Sequence, residues 1–142
     1  DVTTYIRGSG AELFTGAPLR AGAKATIQKW KSAGHEITIL TARSKEWFTD
    51  PVGRSRAQLD KSGIVYDEIV ACVWEKGEYC VSQGIDILIE DNFEICKKAQ
   101  DLGINTIMFV DRHNREHADE IKYACSDWAQ VESAVERIAE KG

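Results

Sequence analysis

Glu90 and Asp91 stand side by side at the end of the apolar run Ile85-Asp86-Ile87-Leu88-Ile89. So short a stretch, rich in β-branched residues, reads as a buried parallel strand. Ligands of open α/β sheets gather just beyond the carboxyl ends of such strands. Two neighbouring carboxylates there serve packing badly, because burying an unpaired charge costs about several kcal/mol. A hard cation such as Mg²⁺, which takes carboxylate and water oxygens, offsets their repulsion. The plainer reading is a helix N-cap at Asp91 or Asn92, which accounts for one acid better than for two. Glu90 and Asp91 are therefore the candidate metal ligands.

Two more polar signals fall at predicted strand ends. Thr41 follows the strand Glu36–Leu40, and its hydroxyl, with the backbone N–H groups of the turn Thr41-Ala42-Arg43, could hold a phosphoryl oxygen. N-capping is the competing role for that threonine. Lys76 opens a helix after Cys72-Val73-Trp74. A cation at a helix N-terminus opposes the helix dipole, so it makes sense facing a phosphate or a carboxylate; taken alone, it is an ordinary solvated lysine. Arg43 suits a phosphate or a salt bridge equally. Hydroxyl, lysine and acid pair at successive strand ends are far more specific together than singly.

Other polar residues are weaker candidates. His113 and His117 have the i, i+4 spacing of a helical metal pair, but Asp-Arg-His-Asn-Arg-Glu-His reads first as a solvated loop. Asp111 and Asn114 follow a strand end and border the predicted site. Trp47 and Phe48 could stack on a flat substrate, though packing of a loop is the commoner outcome. His35, in a helix-to-strand turn, is most simply structural.

The elements that must position these groups are legible from periodicity and punctuation. Helices are predicted over 23–33, 54–62, 76–83, 92–102 and 128–141, several stopped by glycine. Strands are predicted over 36–40, 69–73, 85–89 and 105–110. Alternation of the two types implies βαβ units, an α/β fold with a mostly parallel, Rossmann-like sheet, and a three-layer sandwich. The 142 residues make one domain, able to bury about two-thirds of its unfolded surface. Hydrophobic residues are 43% and charged residues 29%, as in ordinary soluble proteins. A net charge of −5 argues against a nucleic-acid polymer or an anionic membrane as partner. No apolar run reaches the ~20 residues of a membrane span. Cys72, Cys80, Cys96 and Cys125 lack C-x-x-C or zinc-finger spacing and read as buried thiols of a reduced, cytoplasmic protein.

The order of these signals resembles the haloacid dehalogenase (HAD) superfamily of phosphohydrolases, most closely its cytosolic 5′-nucleotidase (deoxypyrimidine-type) branch and bacterial relatives. The matching segments are Ala17-Pro18-Leu19-Arg20-Ala21-Gly22-Ala23, Gly34-His35-Glu36-Ile37-Thr38-Ile39-Leu40-Thr41-Ala42-Arg43, Lys76, and Ile87-Leu88-Ile89-Glu90-Asp91-Asn92. The resemblance spans roughly 17–112 and implies that Thr41 binds the transferred phosphoryl group, with Ala42 and Arg43 beside it. It implies that Lys76 neutralises the phosphoryl and the attacking aspartate, and that Glu90 and Asp91 hold Mg²⁺. The substrate class is then a small phosphorylated metabolite or nucleotide.

The family's first motif, an apolar strand ending in Asp-x-Asp, has no counterpart. Asp1-Val2-Thr3-Thr4 comes nearest, with no strand before it and a threonine in place of the second acid. Asp1-Val2-Thr3-Thr4-Tyr5-Ile6 looks instead like the start of the first helix, so residues 1–142 read as one HAD-like core lacking its first strand. Between Phe14 and Ala17 there is no room for the usual helical cap, so the cap is absent or reduced. The expectation is a chain whose nucleophile lies upstream of Asp1. The alternative is a non-catalytic phosphate-binding or interaction domain. A response-regulator receiver fits less well, because there the acids precede the lysine.

Overall fold

The computed structural model describes residues 2–7, 11–13, 22–41, 60, 63, 65–71 and 75–141. Its elements are β1 (Val2–Arg7), β2 (Ala11–Leu13), α1 (Ala23–Ser32), β3 (Glu36–Thr41), β4 (Glu68–Ala71) and α2 (Lys76–Gln83). They continue with β5 (Ile85–Glu90), α3 (Phe93–Asp101), β6 (Asn105–Phe109), a 3₁₀ helix (Arg115–Glu120), β7 (Tyr123–Cys125) and α4 (Trp128–Lys141). The fold is α/β. The expected helix over 54–62 lies outside the described residues, apart from Asp60.

Among the described residues, one seven-stranded sheet has the order β4-β3-β1-β2-β5-β6-β7. Strands β3–β4, β5–β6 and β6–β7 pair in parallel, as the alternation of strands and helices requires. The centre differs from expectation. Residues 2–6 do not open a helix: β1 runs antiparallel between β3 and β5, with Thr4 opposite both Ile39 and Ile89. Strand β2 pairs in parallel with the same two neighbours. A central gap would leave two strand edges with unpaired N–H and C=O groups, and Val2-Thr3-Thr4-Tyr5-Ile6 has the β-branched and aromatic composition to fill it. The sheet is thus mixed, and its middle is occupied.

Alternation along β5 and β6 sends side chains to opposite faces. Ile87, Ile89, Ile107 and Phe109 join Ile27 and Trp30 of α1 and Trp128, Val131, Val135 and Ile138 of α4 in one core cluster. On the other face Leu88 packs with Cys80 of α2 and Ala99 of α3, and Met108 with Cys96 and Ile121. Cys80, Cys96 and Cys125 are buried thiols. Among the described residues no helix is long and apolar enough to cross a membrane.

Glycine closes α2 where the chain must reverse: Gly84 has φ 66°, a left-handed conformation that a residue without a Cβ adopts freely. The next residue starts β5, so the turn delivers α2 directly to the strand that carries the acid pair.

Candidate functional site

Strand β5 determines where its terminal acid points. Glu90 lies on the same face as Leu88, toward α2, and is 1% exposed. Lys76 is the first residue of α2 and is 2% exposed. Its ammonium donates to Glu90 Oε2 at 3.0 Å, a buried ion pair fourteen residues apart in sequence. The solvated-lysine reading is therefore wrong: a cation at this helix start is tolerated because a carboxylate lies within reach. Glu90 Oε1 accepts the N–H groups of Asp91 (3.0 Å) and Asn92 (3.2 Å), just ahead of α3.

Capping of α3 falls to Asn92, whose Oδ1 accepts the N–H of Ile95 at 3.0 Å. Asp91 is thereby relieved of that role. Its carboxylate converges with Asp111 and His113, each offering a ligand atom within 4.8 Å of the others. Asp111 follows β6, and its Oδ1 accepts the backbone N–H of His113 at 3.0 Å and contacts that ring's Nδ1 at 2.5 Å. The Asp91 carboxyl is pushed up to about 6. Burial contributes most, then the charge and hydrogen bonding of Glu90, then the charge of Asp111, with His113 opposing. A site that holds a carboxyl so far above its ordinary range favours a proton or a cation there.

Thr41 ends β3, its backbone opposite Val2 of β1 and Ala71 of β4. Because Ile39, Thr4 and Ile89 share a level, Thr41 stands level with Asp91 with one strand between, about 10 Å away by strand spacing. The carboxyl ends of β3 to β6 thus bring Thr41, Lys76, Glu90, Asp91 and Asp111 to one edge of the sheet. Ala42 and Arg43, like Trp47 and Phe48, lie outside the described residues.

No family model matches this chain, and neither a curated protein nor a solved structure matches it.

The donor set suits a hard divalent cation. Asp91 and Asp111 bring carboxylate oxygens and His113 a ring nitrogen, a mixture that Mg²⁺ or Mn²⁺ accepts with water completing the shell. Glu90, the other expected ligand, bonds Lys76 and the backbone N–H groups of Asp91 and Asn92. Sequence reasoning placed Asp111 only at the border and treated His113 as solvated. The one available signal was that Asp111, like Asp91, follows an apolar strand. His117 does not pair with His113: its ring stacks on Phe93 (centroids 4.1 Å, 12° between planes) and its Nδ1 meets Glu120 at 2.9 Å. His35 sits at the α1–β3 turn, its N–H donating to Trp30 O at 3.0 Å.

Proposed function

We propose that the chain is the core of a Mg²⁺-dependent phosphohydrolase of the haloacid dehalogenase type, nucleotidase-like, acting on a small phosphomonoester. In this reading the sheet is Rossmann-like, within a three-layer sandwich. The observation that carries it is the buried Lys76–Glu90 pair beside the Asp91–Asp111–His113 cluster, at the sheet edge where Thr41 also ends its strand. A cytoplasmic, reducing compartment suits the buried thiols.

The chemistry assigns each group a task. Lys76 neutralises phosphoryl oxygens, Thr41 and the turn of Ala42 and Arg43 bind them, and Glu90 holds the lysine in place. Asp91 and Asp111, with His113, are the groups that would hold Mg²⁺, which supplies charge neutralisation when bound. In a reaction of this type a carboxylate attacks phosphorus in line. The bond to the leaving alcohol breaks as that oxygen takes a proton from solvent, and water then hydrolyses the acyl phosphate. The test is hydrolysis of an aryl phosphate by the intact protein. Turnover should require Mg²⁺ and disappear in Asp91→Asn and in Lys76→Ala; unchanged rates in those variants refute the reading.

One observation favours a second reading, a phosphate-binding domain without turnover. The central position between β3 and β5, where the family's nucleophile strand would run, is held by antiparallel β1 and the short parallel β2. This version expects inorganic phosphate with Mg²⁺ to raise the melting temperature while no substrate is consumed. Observed turnover excludes it.

A further inference from the structure

We propose that Asn114 is a positioning residue: its buried carboxamide sets the approach of Asp91 to Asp111 as a cation-holding pair. This rests on the metal-dependent reading above. Asn114 belongs to a polar segment yet is 0% exposed. Its Nδ2 donates to the main-chain oxygen of Asp91 at 2.6 Å and to that of Phe109 at 2.7 Å. Its Oδ1 accepts the N–H of Asp111 at 2.8 Å.

The position of these bonds gives them their meaning. Strands β5 and β6 are paired up to Glu90 opposite Met108, and their ladder stops there. Asp91 comes one residue later on one strand, Asp111 two residues after Phe109 on the other. With no further rung, the two segments would be free to separate where the carboxylates stand. Asn114 supplies the missing link, binding the residue past β5, the end of β6 and Asp111 with one rigid planar group. A carboxamide alone offers two donors and an acceptor in that plane. Aspartate lacks the donors, and leucine lacks both. Its three hydrogen bonds all go to main-chain atoms, so its effect on a cation is transmitted through the two acids. Divalent ions of this size demand well-placed oxygens, and loss of such a supporting partner commonly weakens metal affinity about 10–100-fold.

The test is Mn²⁺ binding to the full chain, followed by the electron paramagnetic resonance signal of the free ion, with stability recorded separately. Asn114→Ser should weaken Mn²⁺ binding about tenfold or more and speed amide exchange at Asp111. Ile138→Ala, which loosens the far core, should lower the melting temperature while leaving Mn²⁺ affinity within about twofold, well short of a supporting-partner effect. A folded Asn114→Ser that binds Mn²⁺ as wild type does overturns the proposal. A second measurement needs no variant: Mg²⁺ added to wild type should shift and protect the Asn114 side-chain amide protons, and unmoved resonances overturn it equally. Wild type that binds no Mn²⁺, or Asp91→Asn that binds it undiminished, overturns the metal site itself. Binding lost in Asp91→Asn but kept in Asn114→Ser overturns only the role of Asn114.

Discussion

Lys76 and Glu90 show how much a single ion pair can matter when water is excluded. Lys76→Ala would strand the Glu90 carboxylate in the interior, at about 3–5 kcal/mol. Lys76→Met combined with Glu90→Gln removes both charges and should recover most of that loss; guanidinium unfolding of the three chains decides it. Asp91 carries the opposite signature. Its folded carboxyl titrates at about 6, against about 4 in an unfolded chain, so the native state holds an extra proton in between. Native stability from this group is greatest below pH ~4 and is lost as pH rises through ~6. Asp91→Asn should therefore stabilise the metal-free chain near pH ~7.5 by on the order of 1 kcal/mol, after discounting for partial exposure, and not near pH ~4. Denaturant titrations across that range check the sign. A residue whose removal stabilises the fold yet abolishes cation binding is retained for chemistry.

At the scale of elements, α2 places Lys76 and its packing leaves little slack. A Cβ on Gly77 would lie 3.1 Å from Ala99 Cα and 3.3 Å from Leu102 Cδ1, so α2 and α3 touch through a missing side chain. Gly77→Ala should cost about 1–3 kcal/mol by forcing the helices apart, and should weaken phosphate binding through Lys76. Gly84 differs: a Cβ there meets nothing within 4 Å, and only its φ of 66° opposes substitution. Gly84→Ala should cost about 1 kcal/mol, and Gly84→Asn less, with no effect on ligand binding. Thermal melts with and without phosphate separate steric from conformational loss.

For the whole molecule, the two faces of the sheet divide the work. Trp128 of α4 meets Trp30 of α1 (centroids 6.1 Å, 60° between planes) and Phe109 of β6 (5.0 Å, 62°), fastening two helices to one face. The Lys76–Glu90 pair stands on the other face. Trp128→Ala should cost about 3–5 kcal/mol of stability while leaving Mn²⁺ affinity at the sheet edge unchanged; calorimetry and a metal titration read the two effects independently. Free cation at about a hundred times its dissociation constant should add about 2.7 kcal/mol.

The order of elements from α1 to β6, and the last helix α4, was written into the chain, because apolar periodicity, Asn92 as a cap and glycine stops act locally. Lys76–Gln83 and Trp128–Lys141 could be read directly. So could the presence of Glu90 and Asp91 at a strand end. What each acid does there could not be read, since it depends on what faces it: Glu90 turned to Lys76 across fourteen residues, and Asp91 to Asp111 across twenty. Short β7, with three residues and no periodicity, was invisible until β6 gave it an edge to pair with. The same holds for β1. Its composition permitted a strand, but only the open edges of β3 and β5 required one, because backbone hydrogen bonds are satisfied by whichever segment reaches them.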